Sequence, residues 1–174
     1  MSARRSVNGA IAGAAGAALW AAQQPLDKRV FRCGYDDVEL LGKAVSADER
    51  VWPAAGLALH LQNGIAFGAL YAAVRPRLPL PPVLAGIAAG LAEHAALWPL
   101  VAVTERVHPA RAELPRLGGS RRAWLQAAWR HALFGAVLGL LEERLNASED
   151  ITGQVIPVAS NGHGSIERAA ATAS

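Results

Sequence analysis

Residues Trp52 to Val74 read WPAAGLALHLQNGIAFGALYAAV, a run with no Asp, Glu, Lys or Arg. At about 1.5 Å per residue, a helix of this length crosses the roughly 30 Å hydrocarbon core of a bilayer. A water-exposed helix would carry charge on its outer face every turn or two. Three further stretches share the property. Ser6 to Leu26 holds no charge, Leu78 to Thr104 holds only Glu93, and Ala123 to Leu141 holds only Arg130. The pattern predicts an all-α, four-transmembrane-helix bundle with spans near 8–24, 52–74, 82–104 and 123–141. The membrane domain is expected over 1–145, followed by a flexible tail over 146–174 that has few large apolar residues.

Composition alone conceals this. The 174 residues are 52% apolar, with 17 Lys+Arg against 14 Asp+Glu, which is close to the average for a soluble domain. The spans are rich in weakly hydrophobic Ala and Gly, while the loops are crowded with charge. The single cysteine, Cys33, excludes an internal disulfide and any multi-cysteine metal site. No nucleic-acid module is expected, because the basic residues are interleaved with acids and no aromatic platform accompanies them. The bilayer is the expected partner, with an inner (plasma) membrane location, and small-residue helix faces could pair copies into a homo-oligomer. The first and third loops carry ten Lys/Arg between Lys28 and Arg122. Five (Arg4, Arg5, Arg75, Arg77, Arg144) flank the opposite side. The excess favours the long loops in the cytoplasm. Val38, Leu40, Leu41 and Val45 predict a short amphipathic helix in the first loop, and Pro109 and Pro115 predict turns in the third.

The two halves echo each other. Ala17-Ala18-Leu19-Trp20 recurs as Ala95-Ala96-Leu97-Trp98, and Phe67-Gly68-Ala69 as Phe134-Gly135-Ala136. The echoes suggest a duplicated helical hairpin in parallel orientation.

Polar residues inside the spans hold the functional interest: His60, Asn63, Glu93, His94, Arg130 and His131. Counting about 1.5 Å per residue from the long-loop side, His60 lies roughly 12 Å deep, His94 roughly 15 Å and His131 roughly 13 Å. Each falls on a small-residue face: Gly56, His60, Gly64, Gly68; then Gly86, Gly90, His94; then Ala127, His131, Gly135, Gly139. Such faces pack against other helices, so the three imidazoles are expected to point into the bundle. Glu93 and Arg130, the lone charges of their spans, are candidates for a neutralising interhelix pair.

His60-Leu61-Gln62-Asn63-Gly64-Ile65-Ala66-Phe67, His94 followed by Trp98-Pro99-Leu100, and His131 running into Leu141-Glu142-Glu143-Arg144-Leu145 resemble the YagU-type bacterial inner-membrane proteins. The resemblance covers the last three spans. It implies a polytopic inner-membrane protein without an established activity, and it carries over His60, His94 and His131 as family-like positions without a catalytic role.

Ionisable residues inside a membrane are costly and mark sites, paths or partners. A histidine layer beside Glu93 is expected either to respond to protons or, with His60, His94 and His131 as ligands, to hold a transition-metal ion. Haem is less expected, because aromatic lining is sparse. The competing reading is a structural or assembly protein in which these groups only fix helix packing. An enzyme is the lesser expectation, since Ser and Thr lie almost wholly outside the spans and no nucleophile elbow occurs.

Overall fold

The computed structural model describes residues 3–153, and among these it is wholly helical. The helices are α1 (Ala3–Phe31), α2 (Asp37–Val45), α3 (Trp52–Val74), α4 (Pro82–Leu97), α5 (Val101–Val107) and α6 (Arg121–Gly153). Short 3₁₀ turns follow α3 at Arg75–Arg77 and join α4 to α5 at Trp98–Leu100. The second interruption falls at Pro99, whose ring cannot continue the helical hydrogen-bond ladder. The expected first-loop helix is α2. Asp36 caps it by accepting the Glu39 amide at 3.0 Å. Where the tail is expected to begin, at residue 146, the chain is helical, and α6 runs on to Gly153. Asn146 is buried there and donates to the Glu142 side chain at 2.9 Å. The rest of that expected tail, 154–174, lies outside the described residues.

Glycine sets the packing. Gly9 and Gly13 of α1 lie against Gly68 and Gly64 of α3, and a Cβ at Gly9 or Gly13 would overlap a carbonyl oxygen of the facing helix. Gly86 and Gly90 of α4 meet Gly135 and the His131 carbonyl of α6 in the same manner. Contact this close lets backbones supply the van der Waals energy that large side chains supply elsewhere. The pairing runs in reverse order along each helix pair, so both pairs are antiparallel. α1 also packs along α6, where Gly16 accommodates the Phe134 ring. The order across the bundle is therefore α3, α1, α6, α4, with α2 seated on α3 through Gly42 and Gly56. α3 and α4 share no extensive interface, which leaves a cleft between them.

Many large apolar side chains face outward, around a core that includes Trp20, Tyr71, Phe134 and Leu138. On α1 the inward face is Gly9, Ala12, Gly13, Gly16, Ala17, Trp20, Gln24 and Asp27, whereas Val7, Ile11, Leu19, Leu26 and Val30 face outward. Leu70 of α3 and Val107 of α5 are 69% and 70% exposed. Trp52–Arg77 and Pro82–Val107 are each long and apolar enough to cross a membrane, and only 28% and 17% of their most apolar stretches are buried within the protein. α1 and α6 do not meet that standard. They occupy the middle of the bundle and carry most of its buried polar groups, with His60 on α3 and His94 on α4.

Candidate functional site

Two polar groups adjoin one another where α1 meets α6, and Trp20 connects them. The first centres on Arg130, which is fully buried. Its guanidinium grips Asp27 of α1 in a two-pronged contact, Nε to Oδ2 at 2.5 Å and Nη2 to Oδ1 at 2.6 Å. Nη1 donates to Asp37 Oδ2 at 2.7 Å, and Nη2 also reaches the Tyr35 carbonyl at 3.0 Å. The planar donor fork matches a carboxylate, so the pair is fixed in orientation as well as neutralised. Gln126 donates to Asp27 at 2.7 Å and Gln23 does so at 2.5 Å. Burial pushes the Asp27 carboxyl up, but hydrogen bonds from Arg130 and Gln126 and the guanidinium charge outweigh it and hold the group below the ordinary aspartate range. Burial, reinforced by the Asp37 charge, raises the Tyr35 phenol well above its usual value. Its hydroxyl stays a donor, directed at Asp37 Oδ1 at 2.5 Å.

This arrangement corrects the expected Glu93–Arg130 pair. Arg130 and His131 are consecutive, and a helix turns about 100° between neighbours. Arg130 therefore looks toward α1, and His131 toward the cleft that α4 borders. Asp27 and Asp37 take the guanidinium, and Glu93 faces His131 instead, Oε2 to Nε2 at 4.0 Å.

The second group is the histidines. Trp20 donates its indole N–H to Asp37 at 3.0 Å, and its ring lies edge-on to His60 and His131 with centroids 5.2 Å and 4.7 Å away. His94 lies 5.0 Å from His131, centroid to centroid, with Trp98 and Trp124 on its other sides. The three imidazoles thus do share one layer, as a chain His60–Trp20–His131–His94. His60 Nε2 donates to the Ala17 carbonyl at 3.1 Å, and His131 Nδ1 donates to the Ala127 carbonyl at 2.7 Å. A carbonyl partner requires the proton on that nitrogen. His131 Nε2 therefore carries a lone pair in the neutral ring, and it faces Glu93. His94 Nε2 is buried and has no partner.

The chain does not form a ligand set. Among the described residues, no three His, Cys, Asp or Glu side chains come together as a metal site. Trp20 contacts both His60 and His131 edge-on.

A cavity of about 220 Å³ opens between α3 and α4 over this layer. His60, Asn63 and Phe67 line it from α3, Glu93 and His94 from α4, and His131 from α6, and Asp37 closes its loop end. Of the expected site residues, His60, Asn63, Glu93, His94 and His131 border this one space, and Arg130 belongs to the neighbouring network. Asp27, Asp37, Gln126 and Trp20 escaped the sequence reading. A signal was present for two of them, since Trp20 and Asp27 continue the face of Gly9, Gly13 and Ala17 at helical spacing.

No protein-family model, no curated protein and no solved structure matches the chain.

Proposed function

We propose that the chain is a four-span membrane protein whose cleft takes up a proton at His131 and Glu93. The observation that carries this reading is the proton inventory of His131. Nδ1 is committed to Ala127, and Nε2 offers its lone pair to Glu93 across 4.0 Å beside a cavity. A proton placed there converts a neutral contact into an ion pair. His94, 5.0 Å away, would repel a second charge, so the two rings hold one proton between them.

The four-span placement has its own support. Large apolar side chains cover the outside of all four long helices, and polar groups line the inside. Along α1, half-buried Asn8 and buried Asp27 are separated by a rise of roughly 28 Å, near the thickness of a hydrocarbon core. Asn8 bonds Asn146 of α6 at 2.8 Å, and Asp27 bonds Arg130 of the same helix. Trp124 and Trp129 are exposed near the start of α6. The likeness to YagU-type inner-membrane proteins belongs to this proposal, carried by His60, His94 and His131.

The competing reading, that polar residues only fix the packing, is favoured at one place. Arg130, Asp27 and Asp37 satisfy one another so fully that no capacity is left for a ligand. We assign that network to structure and the histidine cleft to function.

Trp20 is a natural reporter, because its ring touches both His60 and His131. Tryptophan emission of the purified protein in detergent, followed from pH 8 to pH 5, is expected to change in one step. The step should vanish in a His131→Gln variant and shift in Glu93→Gln. A flat profile in the parent protein, or an undiminished step in His131→Gln, defeats the reading.

A further inference from the structure

The loop end of the bundle holds a second, larger cavity, about 540 Å³, that the histidine reading does not use. α5 forms one wall and the segment 108–117 forms another, with Tyr35 and Leu40 beneath. Three arginines line it: Arg106 from the end of α5, and Arg111 and Arg116 from the following loop. Among the described residues, none of the three makes an ion pair. The acid in the wall, Glu105, faces the charge of Arg116 without forming an ion pair, and its Oε1 accepts the Leu117 amide at 2.5 Å and the Gly118 amide at 2.7 Å.

The loop that presents these arginines is held in place at several points. His108 Nε2 donates to the Leu40 carbonyl of α2 at 2.9 Å, and its Nδ1 accepts the Ala110 amide at 3.1 Å. Lys43 of α2 reaches across to Glu113 at 2.8 Å. Glu105 ties the far end of the loop back to α5. Three exposed guanidinium groups border one concavity, carried by the end of α5 and by a loop braced against α2 and α5. Arginine's planar fork suits the oxygens of a phosphate. Leu100, Val103 and Val107, all more than half exposed, lie on the same short helical segment. The concavity therefore sits beside apolar surface, as a headgroup site would.

We propose that Arg106, Arg111 and Arg116 form a phosphate-binding site at the loop end of the bundle. Its ligand is the phosphate of an anionic lipid headgroup or free inorganic phosphate, two sources that share one chemistry. The site depends on neither the histidine cleft nor its protonation.

The full chain, purified in nonionic detergent, is titrated in separate arms with inorganic phosphate, phosphatidylglycerol and phosphatidylcholine. Thermal midpoint and lipid retained in native mass spectrometry are the readouts. Phosphatidylglycerol is expected to raise the midpoint and to be retained well above phosphatidylcholine. In a triple variant, Arg106→Gln, Arg111→Gln and Arg116→Gln, its affinity is expected to fall about tenfold or more. A response to phosphatidylglycerol alone identifies the headgroup, and a response to inorganic phosphate as well identifies the free ion. Either supports the site. Should the triple variant fold poorly, the three single Arg→Gln variants serve, each expected to weaken binding severalfold. Equal retention in parent and variants, or no response to either phosphate source, overturns the proposal. The pH response of Trp20 emission is unaffected in either case, so the two readings fail separately.

Discussion

The two halves of the bundle make the same glycine contacts and differ at one level. In the first hairpin, Gly9 and Gly13 of α1 meet Gly68 and Gly64 of α3. In the second, Gly86 and Gly90 of α4 meet Gly135 and the His131 backbone of α6. Matching contact to contact, Gly13 corresponds to Gly90, Gly64 to His131 and Ala17 to His94. The first hairpin closes tightly at that level, with Ala17 against Gly64. The second carries two imidazoles there, side by side. At this contact one half presents two small residues and the other two imidazoles, while both halves line the cleft, the first through His60 and Asn63. The difference lies in two side chains rather than in the path of the backbone.

What joins the halves is the α1–α6 seam, so the largest effect is expected there. Asp27→Asn removes one of the two carboxylates that neutralise Arg130 and breaks its two-pronged contact, leaving Asp37 as the remaining partner of a buried cation. Breaking a buried pair in this way costs about 3–5 kcal/mol. Unfolding in detergent should show that loss, and Asp27→Leu combined with Arg130→Met should recover a large part of it. If the single variant is as stable as the parent, the seam does not hold the hairpins together.

Next in size are the glycine contacts, which test whether the hairpins are equivalent. Gly13→Leu and Gly90→Leu each drive a side chain into a facing backbone, and overpacking of this kind costs about 1–3 kcal/mol. The two losses should be similar. A much milder effect at Gly90 would show that the cleft beside α4 absorbs the strain, and the correspondence between hairpins would then be one of sequence only.

The sequence made the helices and their packing faces plain. Charge-free runs located four long helices, and glycine at spacings of four marked the faces that do pack. The depths of His60, His94 and His131 agreed because rise per residue is nearly constant in a helix. The echo between Trp20 and Trp98 was misleading by one residue. Contacts equate Gly9 with Gly86 and hence Trp20 with Leu97, and a one-residue slip turns a helix face by about 100°. That is why Trp20 lies buried between two histidines while Trp98 flanks His94 at the cleft edge. The Arg130 partner was not legible either. Asp27 sits among the charges of the first loop in sequence, and only the antiparallel seating of α1 on α6 carries it to Arg130. Pairing the two lone charges of their spans, Glu93 and Arg130, ignored the faces on which they stand.

Acid should reveal the seam as well. The Asp27 carboxyl is held below its ordinary range, so it binds a proton less readily in the folded protein than in the unfolded chain. Its stabilising contribution is complete above the unfolded-state pKa of about 3.9 and is lost as pH falls through the lower folded value. Stability of the parent protein should therefore fall steeply in that acid range, and the Asp27→Asn variant should lose this part of the slope. A parallel acid profile in both proteins would place the acid sensitivity in other carboxylates.

The smallest effect is expected at His94, the residue that stands where the first hairpin has Ala17. Its Nε2 is buried without a hydrogen bond, and a buried polar atom left unpaired is itself a cost to the fold. His94→Leu removes that atom and keeps most of the volume between Trp98, Trp124 and His131. Its stability should match the parent or exceed it by about 1 kcal/mol, whereas His60→Leu should lose about 1 kcal/mol with its bond to Ala17. If His94→Leu is clearly destabilised, His94 contributes to packing as His60 does, and the second hairpin is held at this level as firmly as the first. If it is neutral or stabilised, the fold tolerates an unpaired imidazole in the cleft at its own expense, which is what a group retained for proton binding requires.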